Sequence, residues 1–334
     1  MKTNIRLGIL GLGRIGKMHI RNIMQVGGYE ILVGADPFLT PELEEEMKAL
    51  GVKVCTTNAD EVFDNPDIDA VVICSITTTH ADYIMQSARA KKDIFCEKPI
   101  DNDLARIQEA LKVVEEEGVM LQLGFVRRFD RHHGAIASGV KAGRIGKPEM
   151  LHIISRDPEL CSFDYLKTSG GLFVDMMIHD FDMARYIMGS EVTEVFATGA
   201  AFVNPKVAEV GDIDSAIVTL KFENGALGTI CCSRRSGFGY DQRIEILGSD
   251  GFLIDGNDFA NNVKFYNNDG CVSNCVVDGF ISRYKDAFCN EMIEFKDAIR
   301  EDREPAVTGI DGLKAVLIAE AANRSLVSGT FEKV

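Results

Sequence analysis

The sequence has no tryptophan, only 8 prolines among its 334 residues, and no strongly basic stretch. Its 36 lysines and arginines face 51 acidic residues, so the formal net charge is −15. Surfaces that bind nucleic acid or anionic membranes need clustered lysine and arginine. The composition therefore argues against both as the main partner.

Long apolar runs are also missing. No stretch approaches the roughly 18 apolar residues that cross a bilayer. Residues 1–6 lead directly into a predicted strand, without the apolar core of a secretion signal. We therefore expect no membrane association and a cytoplasmic location. The length favours two domains.

The nine cysteines include no Cys-x-x-Cys pair. Cys74 and Cys96 fall at the ends of predicted buried strands, which favours reduced thiols. Cys271 and Cys275 could join a metal site, but histidine partners are missing from their neighbourhood. We therefore expect no metal.

A glycine-rich turn stands near the start of the chain. The apolar run from Ile5 to Leu10 precedes it, and the helical pattern of Lys17 to Val26 follows. A second apolar strand ends in Asp36, which can accept hydrogen bonds from ribose hydroxyls and repel a 2′-phosphate. Asp36 as a simple turn residue before Pro37 is the alternative. The pattern predicts NAD binding through Gly11, Gly13, Arg14, Ile15, Gly16 and Asp36.

Strands and helices continue to alternate up to residue 123, which predicts a parallel sheet covered on both faces. We place an NAD-binding domain at residues 1–125. Ligands bind at the carboxyl ends of such strands, so two loops become candidates. The loop of residues 75–80 could offer Thr77 to a cofactor or merely cap the next helix. In the loop of residues 96–99, Lys98 could donate to a substrate hydroxyl, with support from Glu97. A solvated turn lysine is the alternative.

The second half of the chain has a different sequence pattern. Consecutive β-rich runs between residues 192 and 254 have no helices between them, and Asn224-Gly225 is a strong hairpin signal. This indicates a second α/β domain at residues 126–334, with a large open, mostly antiparallel sheet. We expect the far face of that sheet to serve oligomerisation.

Residues 169–186 place polar side chains in an otherwise apolar run. One continuous helix would set Asp175, His179 and Asp182 on one face and point Asp180 elsewhere. Apolar residues nearly surround this stripe, which favours a buried helix with one polar side open to a cavity. A stripe that is merely solvated or salt-bridged to a neighbour is the alternative.

Taken together, these motifs resemble the glucose-fructose oxidoreductase, inositol dehydrogenase and rhizopine-catabolism family, called Gfo/Idh/MocA. The resemblance runs from end to end. It rests on Gly-Leu-Gly-Arg-Ile-Gly-x-x-His at residues 11–19, Phe-Cys-Glu-Lys-Pro at 95–99, Arg-Arg-Phe-Asp at 127–130 and the polar stretch of 169–186. The last stretch is most similar to the inositol 2-dehydrogenase branch.

The resemblance implies a Rossmann domain, a C-terminal α/β domain, homotetramers and an NAD-dependent oxidation of a cyclic polyol or sugar. It assigns catalysis to Lys98, Asp175 and His179. It places Lys98, Asp175, His179, Asp182 and Tyr240 at the polyol. We also predict substrate binding by Arg127 and further cofactor contacts by Ser75, Thr77, His80, Glu97 and Lys98. The chain departs from the expected pattern at Val126, at His132 and His133, and after Pro158, which leaves the ring isomer open.

The predicted chemistry starts with His179, which removes the hydroxyl proton while a hydride passes to NAD and Lys98 stabilises the oxygen. myo-Inositol is the expected substrate and 2-keto-myo-inositol the product. The alternatives are scyllo-inositol or another polyol, an NAD-dependent glycosidase, a metal-dependent lyase or dehydrogenase, and a non-catalytic NAD or sugar sensor.

Overall fold

The computed structural model describes residues 4–334. The chain forms two compact units. The first contains the chain up to Val126 together with Asp286–Lys314, and the second contains Arg127–Lys285 and Ala315–Val334.

The first unit begins with alternating strands and helices, as the hydrophobic pattern predicts. They are β1 (Ile5–Leu10), α1 (Arg14–Val26), β2 (Tyr29–Ala35), α2 (Pro41–Ala49), β3 (Val54–Thr56), α3 (Asp60–Phe63), β4 (Ala70–Ile73), α4 (His80–Arg89), β5 (Asp93–Cys96), α5 (Leu104–Glu117) and β6 (Leu121–Leu123). A 3₁₀ turn at Thr77–Thr79 precedes α4.

These strands form one parallel sheet in the order β3-β2-β1-β4-β5-β6. Leu10 pairs with Ala35 and with Ile73, and Ile73 pairs with Cys96. The turns that follow β1, β2, β4 and β5 therefore leave the sheet at the same carboxyl edge. This is the edge at which parallel α/β sheets bind their ligands.

The second unit contains β7 (Pro148–Arg156), β8 (Val192–Ala200), β9 (Ser215–Phe222), β10 (Leu227–Ser233), β11 (Asp241–Gly248), β12 (Phe252–Asp255), β13 (Lys264–Asn267) and β14 (Gly270–Ser273). Its helices are α6 (Arg131–Lys141), α7 (Phe163–Leu166), α8 (Gly171–Asp175), α9 (Ile178–Met188), α10 (Lys206–Glu209) and α11 (Phe280–Arg283). A 3₁₀ turn spans Val126–Phe129.

The chain closes with α12 (Lys285–Glu301), α13 (Gly309–Ser328) and β15 (Glu332–Lys333). The large sheet has the order β12-β11-β7-β10-β9-β8-β15. Only the β7–β10 pair among these described strands is parallel. The predicted mixed, mostly antiparallel sheet is therefore confirmed. Asn224 and Gly225 make the β9–β10 turn, with φ of +85° at Gly225.

Helix α12 belongs to the first unit, although the sequence prediction placed residues 286–314 in the segment 126–334. Met292 and Phe295 lie in the hydrophobic core of the first unit, together with residues of β1 and β2. The Tyr29 hydroxyl donates a hydrogen bond to the carbonyl oxygen of Met292 at 2.6 Å. The pattern of a late amphipathic helix gave no indication of which sheet it covers.

None of the helices described over residues 4–334 is sufficiently long and apolar to span a membrane.

Candidate active site

The turn after β1 holds three glycines for two different reasons. At Gly11 φ is +93°, and a Cβ there would lie 2.6 Å from the backbone nitrogen of Ser75. A Cβ on Gly16 would lie 2.0 Å from the carbonyl oxygen of Gly11. A Cβ on Gly13 would meet no described atom within 4 Å. Gly11 and Gly16 are thus required by packing, whereas Gly13 leaves the backbone open to a pyrophosphate.

Asp36 follows β2 and is fixed by the backbone around it. Its Oδ2 accepts a hydrogen bond from the amide of Leu12 at 2.8 Å, and its Oδ1 accepts one from the amide of Phe38 at 2.9 Å. The carboxylate lines a cleft of about 570 Å³, whose walls are Leu12, Gly13, Arg14, Lys17, Arg21, Asp36, Phe38 and Leu43.

The residues of this cleft fit the adenosine half of NAD. The N-terminus of α1, which begins directly behind Gly13, presents backbone N–H groups suited to phosphate. Asp36 offers carboxylate oxygens in a fixed orientation for ribose hydroxyls. Arg14 lies in the wall, while the side chain of Ile15 packs against the core and leaves its backbone for the cofactor.

The loop after β4 is connected to the loop after β5 by His80. This buried imidazole has its Nδ1 2.8 Å from the carbonyl oxygen of Pro99 and its Nε2 3.0 Å from that of Ser75. Burial lowers the pKa of His80, so one ring nitrogen carries the proton and donates at a time. The Ser75 hydroxyl also lies 2.7 Å from that of Thr79. The predicted cofactor contacts of Ser75, Thr77 and His80 stay predictions.

Glu97 contacts a buried histidine rather than standing alone beside Lys98. Its Oε1 lies 2.7 Å from Nε2 of His19, and Glu291 of α12 has an oxygen 3.9 Å from the same nitrogen. Glu291 is fully buried, and neither oxygen has a hydrogen-bond partner among the described residues. Burial, and then the charge of Glu97, raise the pKa of Glu291 well above its ordinary value. Burial therefore favours the neutral form of Glu291 next to Glu97.

Glu291 has no local sequence signal, because it comes from a helix nearly 200 positions downstream of Glu97. Gly124 completes this arrangement, since a Cβ there would lie 3.1 Å from the carboxyl carbon of Glu97. Lys98 itself is partly buried and joined to Pro99 by a cis peptide bond. Its catalytic role stays a prediction.

In the second unit, the prediction of a single continuous helix over residues 169–186 is wrong. Helix α8 ends at Asp175 and α9 begins at Ile178. The amides of Met176 and Met177 both donate to the carbonyl oxygen of Leu172, so the chain makes a wide turn between the helices. No glycine or proline occupies residues 176–177, so nothing local in the sequence indicates the interruption.

The carboxylate of Asp175 is held by two residues that the sequence analysis did not identify. The Tyr165 hydroxyl donates to its Oδ1 at 2.6 Å, and NH1 of Arg234 donates to its Oδ2 at 2.9 Å. Arg234 is 2% exposed, and its NH2 lies 3.8 Å from the carboxylate of Asp212. Burial raises the pKa of the Tyr165 hydroxyl, which keeps it protonated as a donor. Asp175 is thus a rigidly oriented carboxylate.

The other two acids of residues 169–186, Asp182 and Asp180, are engaged in buried ion pairs. Asp182, 1% exposed, accepts hydrogen bonds from Nε and Nη2 of Arg128 at 2.9 and 2.6 Å. Asp180, predicted to point elsewhere, receives NH1 of Arg127 at 2.5 Å. The salt-bridged alternative for the stripe therefore describes Asp182, and it also describes Asp175, which pairs with Arg234. The predicted substrate contact of Asp182 stays a prediction.

Arg127 and Tyr240 were both predicted to bind substrate, and they lie together. NH2 of Arg127 lies 3.3 Å from the hydroxyl of Ser155 and 3.4 Å from that of Tyr240. His179 is partly buried in the first turn of α9. Asp157, which interacts electrostatically with Arg127, is an acid that the sequence analysis did not select. Burial raises its pKa to about 6.

Within residues 4–334, two clusters have the side chains that metals use. One is His19, Glu97 and Glu291, and the other is Asp130, His133 and Asp255. In the second cluster Arg283 already supplies positive charge to Asp130 at 2.5 Å, and burial lowers the pKa of His133 to about 3. That no metal is bound stays a prediction.

Comparison with known proteins assigns this chain to a family. A family model described as an oxidoreductase family with an NAD-binding Rossmann fold matches residues 5–125. A second, described as the GFO/IDH/MocA C-terminal domain, matches residues 134–254. The chain belongs to the Gfo/Idh/MocA oxidoreductases.

Relatives within the Gfo/Idh/MocA family match almost the whole chain. The inositol 2-dehydrogenase of Rhizobium meliloti is 44% identical over 323 residues, which cover 96% of this chain and 97% of that one. The myo-inositol 2-dehydrogenase of Thermotoga maritima is 41% identical over 322 residues, 96% of each chain.

A crystal structure of the scyllo-inositol dehydrogenase of Lactobacillus casei, with NAD(H) and scyllo-inositol bound, has a TM-score of 0.92. It is 30% identical and covers 99% of both chains. The predicted family, fold class, NAD cofactor and oxidoreductase class are confirmed. This Gfo/Idh/MocA protein is an NAD-dependent dehydrogenase.

Proposed function

We propose that this dehydrogenase oxidises a secondary hydroxyl of myo-inositol to the ketone of 2-keto-myo-inositol. The observation that carries the proposal is the end-to-end similarity to inositol 2-dehydrogenases combined with the intact set of Lys98, Asp175 and His179. The rigid support of Asp175 by Tyr165 and Arg234 favours catalysis over mere binding, since a sensor does not require an oriented carboxylate.

The proposed chemistry divides between a base and an electrophile. His179 removes the hydroxyl proton, because the ordinary pKa of imidazole lies near neutrality. Asp175 orients the ring and stabilises the imidazolium that forms. Lys98 binds the same oxygen and stabilises its developing negative charge. NAD, when bound, accepts the hydride from the carbon of the alcohol.

scyllo-Inositol is the second candidate substrate, favoured by the relative from Lactobacillus casei that was crystallised with it. The two isomers differ in the orientation of one hydroxyl, so the polar side chains around the ring decide between them.

The test is to mix purified protein with NAD and, separately, myo-inositol, scyllo-inositol or glucose, and to follow NADH absorbance. We expect the largest kcat/KM with myo-inositol. A larger value with scyllo-inositol would transfer the assignment to that isomer. No NADH with any of them, while NAD still binds, would contradict the proposal and favour a redox-neutral glycosidase or a sensor.

We also propose a homotetramer in the cytoplasm. Large apolar side chains on the strands of the second sheet are exposed in the single chain, among them Met150, Ile217 and Ile254. Exposed apolar patches of this kind favour burial between subunits. Light scattering should give the mass of four chains, and a monomer would contradict this.

A further inference from the structure

Three cations, Arg14, Lys17 and Arg21, line the adenosine cleft, and one carboxylate binds two of them. Lys17 and Arg21 lie one turn apart on α1 and line the cleft together with Asp36. Glu46 approaches from α2. Its Oε2 accepts from Nζ of Lys17 at 2.5 Å, and its Oε1 accepts from NH2 of Arg21 at 3.2 Å. Each oxygen of this carboxylate is therefore engaged by one cation.

These cations matter because of the chemical difference between NAD and NADP. The 2′-phosphate of NADP adds a charge of about −1.5 to −2 close to the ribose. Such a group is stabilised by lysine or arginine and repelled by a carboxylate. Asp36 supplies the repulsion. Lys17 and Arg21, in the wall of the same cleft, would supply the attraction if they were available.

We propose that Glu46 is a specificity-determining residue of this dehydrogenase. By pairing with Lys17 and Arg21, it withholds from a 2′-phosphate two cations of the cleft wall that would otherwise help to bind it. Discrimination against NADP then has two parts, repulsion by Asp36 and sequestration by Glu46. The inference rests on NAD binding by the first unit and does not depend on which polyol is oxidised.

The size of the effect follows from solvent exposure. The side chains of Lys17, Arg21 and Glu46 are 28%, 57% and 39% exposed. Ion pairs at such positions are screened by water and salt, so releasing these cations should change affinity by about two- to tenfold. The gain should shrink at high ionic strength.

Helix α2 provides a matched control. Glu44 stands two positions before Glu46 and is 38% exposed, but it pairs with Lys48 of its own helix at 2.5 Å. Glu44→Gln and Glu46→Gln remove the same charge from the same helix. Only the second releases cations that line the cleft.

The experiment is a titration of wild type, E46Q and E44Q with NADPH and NADH, followed by nicotinamide fluorescence at low and high salt. We expect E46Q to bind NADPH about two- to tenfold more tightly at low salt, with NADH affinity unchanged and E44Q like the wild type. Unchanged NADPH binding in E46Q, or an equal gain in E44Q, would overturn the proposal.

The titration needs no polyol, so its result is separate from that of the oxidation assay. Wild-type protein that binds NADPH as tightly as NADH would contradict the role of Glu46, while inositol oxidation could still be observed. Conversely, a dehydrogenase of another polyol would leave the effect of Glu46 intact.

Discussion

The two units hold their candidate site residues in different ways. In the first, each candidate follows a strand directly, and register brings those strand ends to one edge of a parallel sheet. In the second, Asp175 depends on Tyr165 and Arg234, which are 10 and 59 positions away, and Asp180 pairs with Arg127 at a separation of 53. The cofactor site is largely encoded in short segments, whereas the buried acids Asp175 and Asp180 of the second unit depend on long-range ion pairs.

The largest expected effect concerns the base in the second unit. Replacing His179 by Ala should lower kcat by roughly two to four powers of ten, because the proton acceptor is lost. NAD affinity should remain near that of the wild type, since the cofactor cleft lies in the first unit. Steady-state rates and a nucleotide titration check both statements.

His152 is a suitable control for this change, because its Nδ1 contacts the hydroxyl of Thr229 on a neighbouring strand of the second unit. The His152→Ala variant should retain the kcat of the wild type. Full activity in the His179 variant would contradict the assignment of the base.

A smaller effect should follow when the long-range support of Asp175 is disturbed. Arg234→Lys keeps the charge but loses the planar guanidinium that contacts Asp175 and approaches Asp212. Misplacement of the carboxylate should lower kcat by about ten- to hundredfold. KM for NAD should not change.

The neighbouring exposed Arg235 serves as the matched control, with Arg235→Lys expected to resemble the wild type. Tyr165→Phe, which removes only the hydroxyl donor to Asp175, should give an intermediate rate with an unchanged melting temperature. Wild-type kcat in both Arg234→Lys and Tyr165→Phe would show that Asp175 does not depend on these partners.

The smallest effects separate the glycines of the first unit. Gly13→Ala introduces a methyl group where the protein itself has room, so the fold should be unaffected while NAD binding weakens by about tenfold through displaced phosphate contacts. Gly16→Ala should instead cost about 1–3 kcal/mol of unfolding free energy, because its Cβ would overlap the Gly11 carbonyl oxygen.

Thermal unfolding with and without NAD distinguishes these two glycine variants. Gly13→Ala should match the wild type without NAD and gain less from its addition. An equal loss of stability in both variants would contradict the claim that Gly16 is required by packing and Gly13 by the cofactor.

The sequence could predict the first unit so well because its signals are local. Glycine turns, strand ends and the acid after β2 all lie within a few residues of the elements that position them. The predicted strand Ile5–Leu10 has the bounds of β1, and the predicted helix Lys17–Val26 ends where α1 ends. The fold class and the cofactor followed from the same short segments.

The second unit could be predicted in outline only. Alternating β patterns indicated its open sheet, but the turn at residues 176–177 has no glycine or proline to indicate it. The partners Tyr165 and Arg234 are ordinary residues in their local context, and the Arg-Arg-Phe-Asp motif does not indicate that Arg128 pairs with Asp182. These partners become informative only when folding brings them to an acid. The sequence alone therefore could not predict which acids of the polar stripe are ion-paired.

Helix α12 has a further consequence for how the protein is made. Met292 and Phe295 complete the core around β1 and β2, yet they leave the ribosome only after the whole of residues 127–285. The strands of the nucleotide-binding core are thus synthesised first, but the core is completed only near the end of synthesis. Until then, the nascent sheet exposes the apolar surface that α12 later covers, and an isolated fragment of residues 1–125 keeps that surface permanently open to aggregation.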